Sequence, residues 1–514
     1  MALPSARRPA SLSRSAPCRL VVAGALASLV GCGGEDTATN QGFGGTSGAG
    51  GTSAGTGGVG ASGGLAGSAG TGGSAGAGGL AGAGGVAGAG GVAGVGGASP
   101  DDRFARYFHD EIASPITQGV LSRAQAIRAA RPGAAEDVFM KVGASGTVST
   151  HFLYCFAGPA RPGYRLELAE HTELLPGIEY FRGGNAAGAT PFDRATLAAV
   201  VGRSASWAIT GNPSPLDQEI AAINPRFAFV NYGTNDMGQG ATHLSALFPF
   251  YDHLATLLDE LEEQGIITIV SGLNPRGDSA VAARWVPTYD VVTRGLAEAR
   301  QLPYLSLYLL VKDLPNQGLI SDGIHGNAYS SGGTQPCVFE PPGLQYNYNR
   351  RNLASMQALD ALRRGVLEGE PALVTPPAGY QGRGTAADPL IIDRLPFTHH
   401  GDSRASAESQ IDSYPGCNAN QDESGPEVVY RLELTETTSL RAVVLDRGDV
   451  DIDLHLLSAP SGDACLQRAD RAIQVTLGPG SYTWVLDSFV ASGVARSGEY
   501  LFALLECEPG DPDC

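Results

Sequence analysis

Val138-Phe139-Met140-Lys141-Val142-Gly143-Ala144-Ser145-Gly146 is the stretch from which the fold is read. A short apolar run of β type ends in a turn built only from small residues. Such a run fits a strand buried on both faces. A small-residue turn after it lets the chain swing into the next element with the serine hydroxyl standing clear at the sheet's edge. Taken alone, Ser145 reads as an ordinary turn serine, and its surroundings decide whether it is more.

Similar apolar runs lie at 227–231, 266–271 and 303–309. Amphipathic stretches at 104–130, 192–201, 216–223, 245–264, 279–301 and 349–367 have helical spacing. Strands alternating with helices over residues 101–370 predict βαβ units, a parallel sheet and helices on both faces. In such sheets the working residues gather beyond the carboxyl ends of the strands. Ser145, Asn235 and the 272–276 loop all follow predicted strands.

Two further motifs occupy that edge. Gly233-Thr234-Asn235-Asp236 follows the 227–231 strand. An Asn amide there can donate to a developing oxyanion or, more plainly, make an Asx turn; Asp236 reads as a residue that orients the loop. Asp322-Gly323-Ile324-His325 follows the last predicted strand and precedes the final helix. A carboxylate three residues before a histidine can hold Nδ1–H and leave Nε2 free to take a proton from a serine. Nucleophile, oxyanion donors, base and orienter are the parts needed for acyl transfer to water.

The order of these blocks resembles that of SGNH (GDSL-type) hydrolases over about residues 101–370. The resemblance implies a flavodoxin-like α/β domain that hydrolyses esters, with Ser145 as nucleophile, His325 as base and Asp322 as its orienter. It implies an oxyanion hole from the Ser145 amide, the Asn235 side chain and a glycine amide of a second block. Gly202, in Val201-Gly202-Arg203-Ser204-Ala205, and Gly211 are both open to that role. Ala144 stands where the family usually has Asp, a position that is neither its nucleophile nor its base. A literal Gly401-Asp402-Ser403 also occurs, after His399 and His400. It lies beyond Asp322 and His325 with no later Gly-x-Asn-Asp, so chain order excludes Ser403. Of the other histidines, His151 is the one near enough to Ser145 to line a pocket. Trp207, Trp285 and Tyr232 fit either a pocket wall or a core.

Pro371, Pro376 and Pro377 mark a linker, residues 371–384. Short alternating runs at 428–434, 440–445, 452–457, 473–477 and 482–486 make residues 385–514 an antiparallel β-sandwich. Asp449-Val450-Asp451-Ile452-Asp453-Leu454 and Leu477-Gly478-Pro479-Gly480-Ser481-Tyr482 resemble the bacterial pre-peptidase C-terminal type of domain. The three aspartates are expected on one solvated face of a strand. Calcium would need oxygen ligands like these, but Leu454 and Pro460 stand where an EF-hand needs Gly and Glu. No metal or organic cofactor is required by the chemistry.

Residues 1–31 have Arg7, Arg8, Arg14 and Arg19, then an apolar stretch too short to span a bilayer. Ending in Leu29-Val30-Gly31-Cys32, they resemble a bacterial lipoprotein signal with Cys32 as the lipidated residue. Residues 32–100 are mostly Gly, Ala, Ser, Thr and Val, with little to bury, and read as a disordered tether. The expected location is the bacterial cell surface or periplasm, anchored by lipid, with the outer membrane as the membrane partner and the protein a monomer. A formal net charge of −18 offers no basic patch and excludes nucleic acid. Beyond Cys18 and Cys32, six of the 8 cysteines remain, and the expected pairs are Cys155–Cys337, Cys417–Cys465 and Cys507–Cys514, from fifteen possible connectivities. The expected substrate is an ester, with acyl groups on carbohydrate or lipid as examples. The alternative is a non-catalytic surface binding or adhesion protein that retains the fold.

Overall fold

The computed structural model describes residues 104–158, 163–406, 409–419 and 421–514. The signal segment, Cys32 and the tether expected from the sequence lie outside the described residues.

The α/β region opens with α1 (Gln118–Ala130), capped by the Thr117 side chain, and β1 (Ala135–Gly143). It continues through α2 (Ser145–Val148), α3 (Leu175–Arg182), α4 (Pro215–Ile223), β2 (Pro225–Asn231), α5 (His243–Glu263) and β3 (Ile267–Ser271). It closes with α6 (Ala280–Arg300), β4 (Tyr304–Leu305), α7 (Leu307–Val311) and α8 (Asn347–Leu362). β1 to β4 pair in parallel, in spatial order β1-β2-β3-β4. Residues 198–200 add a short edge beside β1, through Gly143 N to Ala198 O and Val200 N to Gly143 O, both 3.2 Å. Counting that edge, the strands run second-first-third-fourth-fifth in chain order, the flavodoxin-like winding.

Three expected elements are corrected. The 192–201 stretch is not a helix, because its end is spent on pairing with Gly143. The 104–130 helix begins only at Gln118: before it, Tyr107 N donates to Glu298 and Ala113 bridges to Leu305. The strand expected at 303–309 lasts two residues, because Ser306 accepts from Leu309 N and caps α7.

The C-terminal region forms two large sheets and a short hairpin ladder of Val490–Ala491 with Val494–Ala495. Its strands are β5 (Leu390–Ile392), β6 (Phe397–Asp402), β7 (Glu427–Leu434), β8 (Thr438–Asp446) and β9 (Ile452–Leu457). β10 (Cys465–Ala469), β11 (Ala472–Leu477), β12 (Gly480–Ser488) and β13 (Glu499–Glu506) complete them. One sheet has the order β11-β8-β13-β6, the other β10-β9-β12-β7-β5, and the pairing is antiparallel apart from β5 with β7. The three expected disulfides are present.

Strand period explains how the two regions join. In β13, Tyr500, Phe502 and Leu504 point into the sandwich core, while Leu501, Ala503 and Leu505 join the α/β core. β8 divides likewise, with Val443 and Leu445 on the α/β side. Both faces of these strands are therefore buried, and α6 is buried at every position from Thr288 to Ala299. Gly295 permits the contact, since a Cβ there would come within 2.8 Å of the Leu501 side chain. Asp449, Asp451 and Asp453 do not share a solvated face: only Asp453 lies in β9, where it is buried and paired with Arg468 at 2.8 Å. Among the described residues, no group of His, Cys, Asp and Glu is arranged to hold a metal ion, and no helix is long and apolar enough to cross a membrane.

Candidate active site

The carboxyl edge of the sheet gathers the three motifs. β1 ends at Gly143, where any side chain would collide with Thr147 and lie 2.7 Å from the Asn231 carbonyl. That close approach lets α2 start at once. The amides of Thr147 and Val148 both donate to Ala144 O at 2.9 Å. Ser145 is the first residue of this turn, where helical N–H groups have no partner within the helix.

The 320–326 loop delivers the second side chain. Asp322 Oδ1 accepts from the amides of Ile324 (2.8 Å) and His325 (3.0 Å), which closes a tight turn. Gly323 has φ +70°, and a Cβ there would sit 2.5 Å from Asp278 N. The turn is braced by Gly277 N to Gly323 O at 2.7 Å. In this turn His325 Nδ1 lies 2.7 Å from Asp322 Oδ2, and His325 Nε2 lies 2.8 Å from Ser145 Oγ. The three groups thus form one continuous hydrogen-bonded relay. Desolvation would raise the Asp322 pKa, but the His325 and Ile324 amides and the His325 ring outweigh it and hold it at about 2. The orienter stays ionised at any neutral pH.

Asn235 also lies at this edge, and its side-chain amide donates to Arg203 O at 2.9 Å. That bond ties it to the loop holding Gly202, which the 198–200 edge carries to the end of β1. Gly211 is elsewhere. It borders a cavity with Ser214, Asp217, Glu260, Glu263 and Gln264, near the start of β3 and so at the sheet's amino edge. Of the two glycines left open by the sequence, only Gly202 is placed on the relay's side. Asp236 is buried and accepts from the amides of Ala205 and Gly233, each at 2.9 Å. Burial raises its pKa against those bonds. It orients the loop, as its position suggested.

The other candidates separate cleanly. Trp285 and Tyr232 are core residues, whereas Trp207 is half-buried near Arg203. His151 is half-buried, its ring meeting Tyr348 edge-on at 5.3 Å. Ser403 is fully buried and bonded to Ser488 and Gly498, far from any relay.

Two groups of supporting residues had no motif to reveal them. Arg276 binds Asp278 through two 2.7 Å contacts and Thr234 O at 3.2 Å, tying the Asn235 loop to the 276–278 segment that braces the His325 turn through Gly277. From α8, Arg351 Nη1 donates to Gly146 O at 3.0 Å and Tyr348 Oη to the same oxygen at 3.3 Å.

Residues 180–329 match the family model described as GDSL-like lipase/acylhydrolase. That span includes Asn235, Asp322 and His325 and begins after Ser145. No curated protein matches the chain significantly. Among solved structures, the chain is similar to a GDSL-like lipase from Bacteroides thetaiotaomicron, at 14% identity over 47% of this chain and 97% of that one, TM-score 0.27. It is also similar to a two-domain esterase active on acetylated mannans, at 11% identity over 77% and 96%, TM-score 0.26. The pre-peptidase C-terminal domain of a collagenase from Bacillus anthracis is matched at 11% identity over 21% and 89%, TM-score 0.15. Residues 180–329, the span holding the blocks that follow the nucleophile turn, thus carry a GDSL-like lipase/acylhydrolase domain, and this match supports an ester-hydrolysing enzyme.

Proposed function

We propose that the chain is a surface-anchored serine esterase whose relay is Ser145, His325 and Asp322. The observation that carries this reading is the 2.8 Å contact of Ser145 Oγ with His325 Nε2, continued at 2.7 Å to Asp322. Ser145 Oγ attacks the ester carbonyl carbon and gives its proton to His325 Nε2. Asp322 holds the ring and stabilises the imidazolium. The oxyanion is taken by the Ser145 and Gly202 amides and by the Asn235 amide hydrogen not used on Arg203. Collapse expels the alcohol, which leaves with the His325 proton. Water, deprotonated by His325, then attacks the acyl-serine carbonyl, and the acid and free Ser145 are released.

The His325 and Asp322 side chains are 39% and 40% exposed, so the reaction would take place on open ground rather than down a tunnel. That favours a short acyl group on a large alcohol, such as an acylated glycan, over a long acyl chain. Anchoring through Cys32 is the second part of the proposal and rests on the sequence pattern alone. Incorporation of labelled fatty acid into the parent but not into Cys32→Ala, expressed in a bacterium, is the expected result.

The direct test is hydrolysis of p-nitrophenyl acetate and butyrate by the full chain and by Ser145→Ala. The proposal expects acetate to be preferred, and activity to fall by about 10³-fold or more in the variant. A folded parent inactive on both esters and on acetylated sugars would move the reading to the non-catalytic surface protein.

A further inference from the structure

The fully buried arginines of this fold are Arg226, Arg294, Arg351 and Arg441. Arg226 meets Glu136 at 3.2 Å and Arg441 meets Asp511 at 2.7 Å, and Arg294, which donates to the Phe108 and Glu111 carbonyls, has the buried Asp290 and Glu298 near enough to feel its charge. Arg351, directly under the nucleophile turn, is held differently. Its Nη1 donates to Gly146 O at 3.0 Å and its Nη2 to Asn231 Oδ1 at 3.3 Å, while Nε has no partner. Its guanidinium lies 4.0 Å from the centre of the Phe152 ring. Among the described residues no carboxylate contributes to its charge state, and burial lowers its pKa to about 10, with Tyr348 acting the other way. A buried cation without a counter-ion is costly, and a fold keeps one only where something offsets the cost.

The bonds indicate what is gained. The Gly146 carbonyl belongs to the residue after Ser145, so fixing it fixes the plane of the turn that aims the Ser145 hydroxyl. Asn231 is the last residue of β2, and its Nδ2 donates to Gly272 O at 2.7 Å, just past β3. One planar guanidinium therefore clamps the nucleophile turn to the ends of two strands, a task for which a point charge such as lysine is poorly shaped. Gly146 fits the same arrangement, since a Cβ there would press on Arg351 Nη1 at 3.2 Å. We propose that Arg351 is a positioning residue that sets the Ser145 turn and, as an unneutralised cation beneath it, favours the negative charge formed during acyl transfer.

This inference rests on the esterase reading for its catalytic half. Its structural half stands alone, and the test separates the two. Arg351→Met, Arg351→Lys and the parent would be compared in p-nitrophenyl acetate kinetics and in amide hydrogen exchange. The expected result for Arg351→Met is a kcat lower by about 10²-fold with KM changed less than about threefold. Arg351→Lys, which keeps the charge but not the fork, would recover only part of the loss. Exchange would accelerate in peptides covering 143–152 and stay unchanged in the sandwich. If Arg351→Met fails to fold, Gly146→Ala perturbs the same contact from the other side and should give the same signature. Folded variants with parental kcat, or with exchange raised everywhere, would overturn the proposal. An inactive parent would overturn the esterase reading, and local exchange would still decide whether Arg351 clamps the turn.

Discussion

Two serines in this chain follow small-residue segments, Gly143-Ala144-Ser145 and Gly401-Asp402-Ser403, and only the second has histidine and aspartate adjacent in sequence, yet the fold treats them in opposite ways. Ser145 stands where a parallel strand ends, and its hydroxyl meets His325. Ser403 follows β6, fully buried, accepting from Gly498 N at 3.0 Å and from the Ser488 hydroxyl at 2.9 Å. The polar neighbours of Ser403 face other partners: Asp402 pairs with Arg404, and His399 bonds the Tyr430 hydroxyl at 2.8 Å. The better match to a text motif is the structural serine, and the poorer match is the one in the relay. What separates them is the sheet edge that each segment reaches, and that is a property of topology.

Asp322→Asn should lower kcat by about 10²–10⁴-fold, since the ring of His325 loses the carboxylate that orients it and stabilises its charge. The corresponding change beside the other serine, Asp402→Asn, should leave kcat at the parental value; steady-state kinetics on p-nitrophenyl acetate checks both. Asn235→Ala should cost about 10²–10³-fold in kcat, the usual loss for one oxyanion donor. A value near the parent's would remove Asn235 from the hole.

A pH experiment sharpens the contrast further. Burial, chiefly, pushes His399 down to about 3 and His400 to about 4. In the unfolded chain both would take up protons below about 6.5. The folded state binds fewer protons, so their contribution to stability is complete above that pH and is lost as pH falls through 6.5 toward 4. Melting temperature should decline over that range, and His399→Phe should decline less steeply. Asp322, held at about 2, keeps its charge across the same window and should contribute no acid limb to activity above about pH 4. The smallest effect is expected from Ser403→Ala. It leaves kcat unchanged and, by stranding a buried Gly498 amide, costs about 1–3 kcal/mol in denaturant unfolding.

The parts of this fold that were legible in the sequence are those in which local pattern and tertiary role agree. β2 and β3 are apolar runs bounded by turns, and α4, α5 and α6 are amphipathic stretches behind Ser or Thr caps. Where tertiary pairing took over, the pattern misled. Residues 192–201 have helical spacing, but Val200 is drawn to the end of β1. β13 escapes a strict alternation search because the sandwich core takes one face and the α/β core the other.

The relay residues were legible because their chemistry demands particular residue types in a particular chain order. Arg351 was not, for a different reason. An arginine within a helix carries no sign of whether it meets solvent or the underside of a turn 205 residues away. The Asp449–Asp453 triplet fails similarly, since period-2 reasoning presumed a strand that begins only at Ile452.

The esterase chemistry requires that Ser145, and not Ser403, carry the acyl group. Incubation of the folded chain with a fluorophosphonate, followed by proteolysis and peptide mass mapping, answers this directly. One adduct on the peptide containing Ser145, abolished in Ser145→Ala and slowed in Asp322→Asn, is the predicted result. A folded parent that takes no label, or one labelled at another serine, would contradict the account.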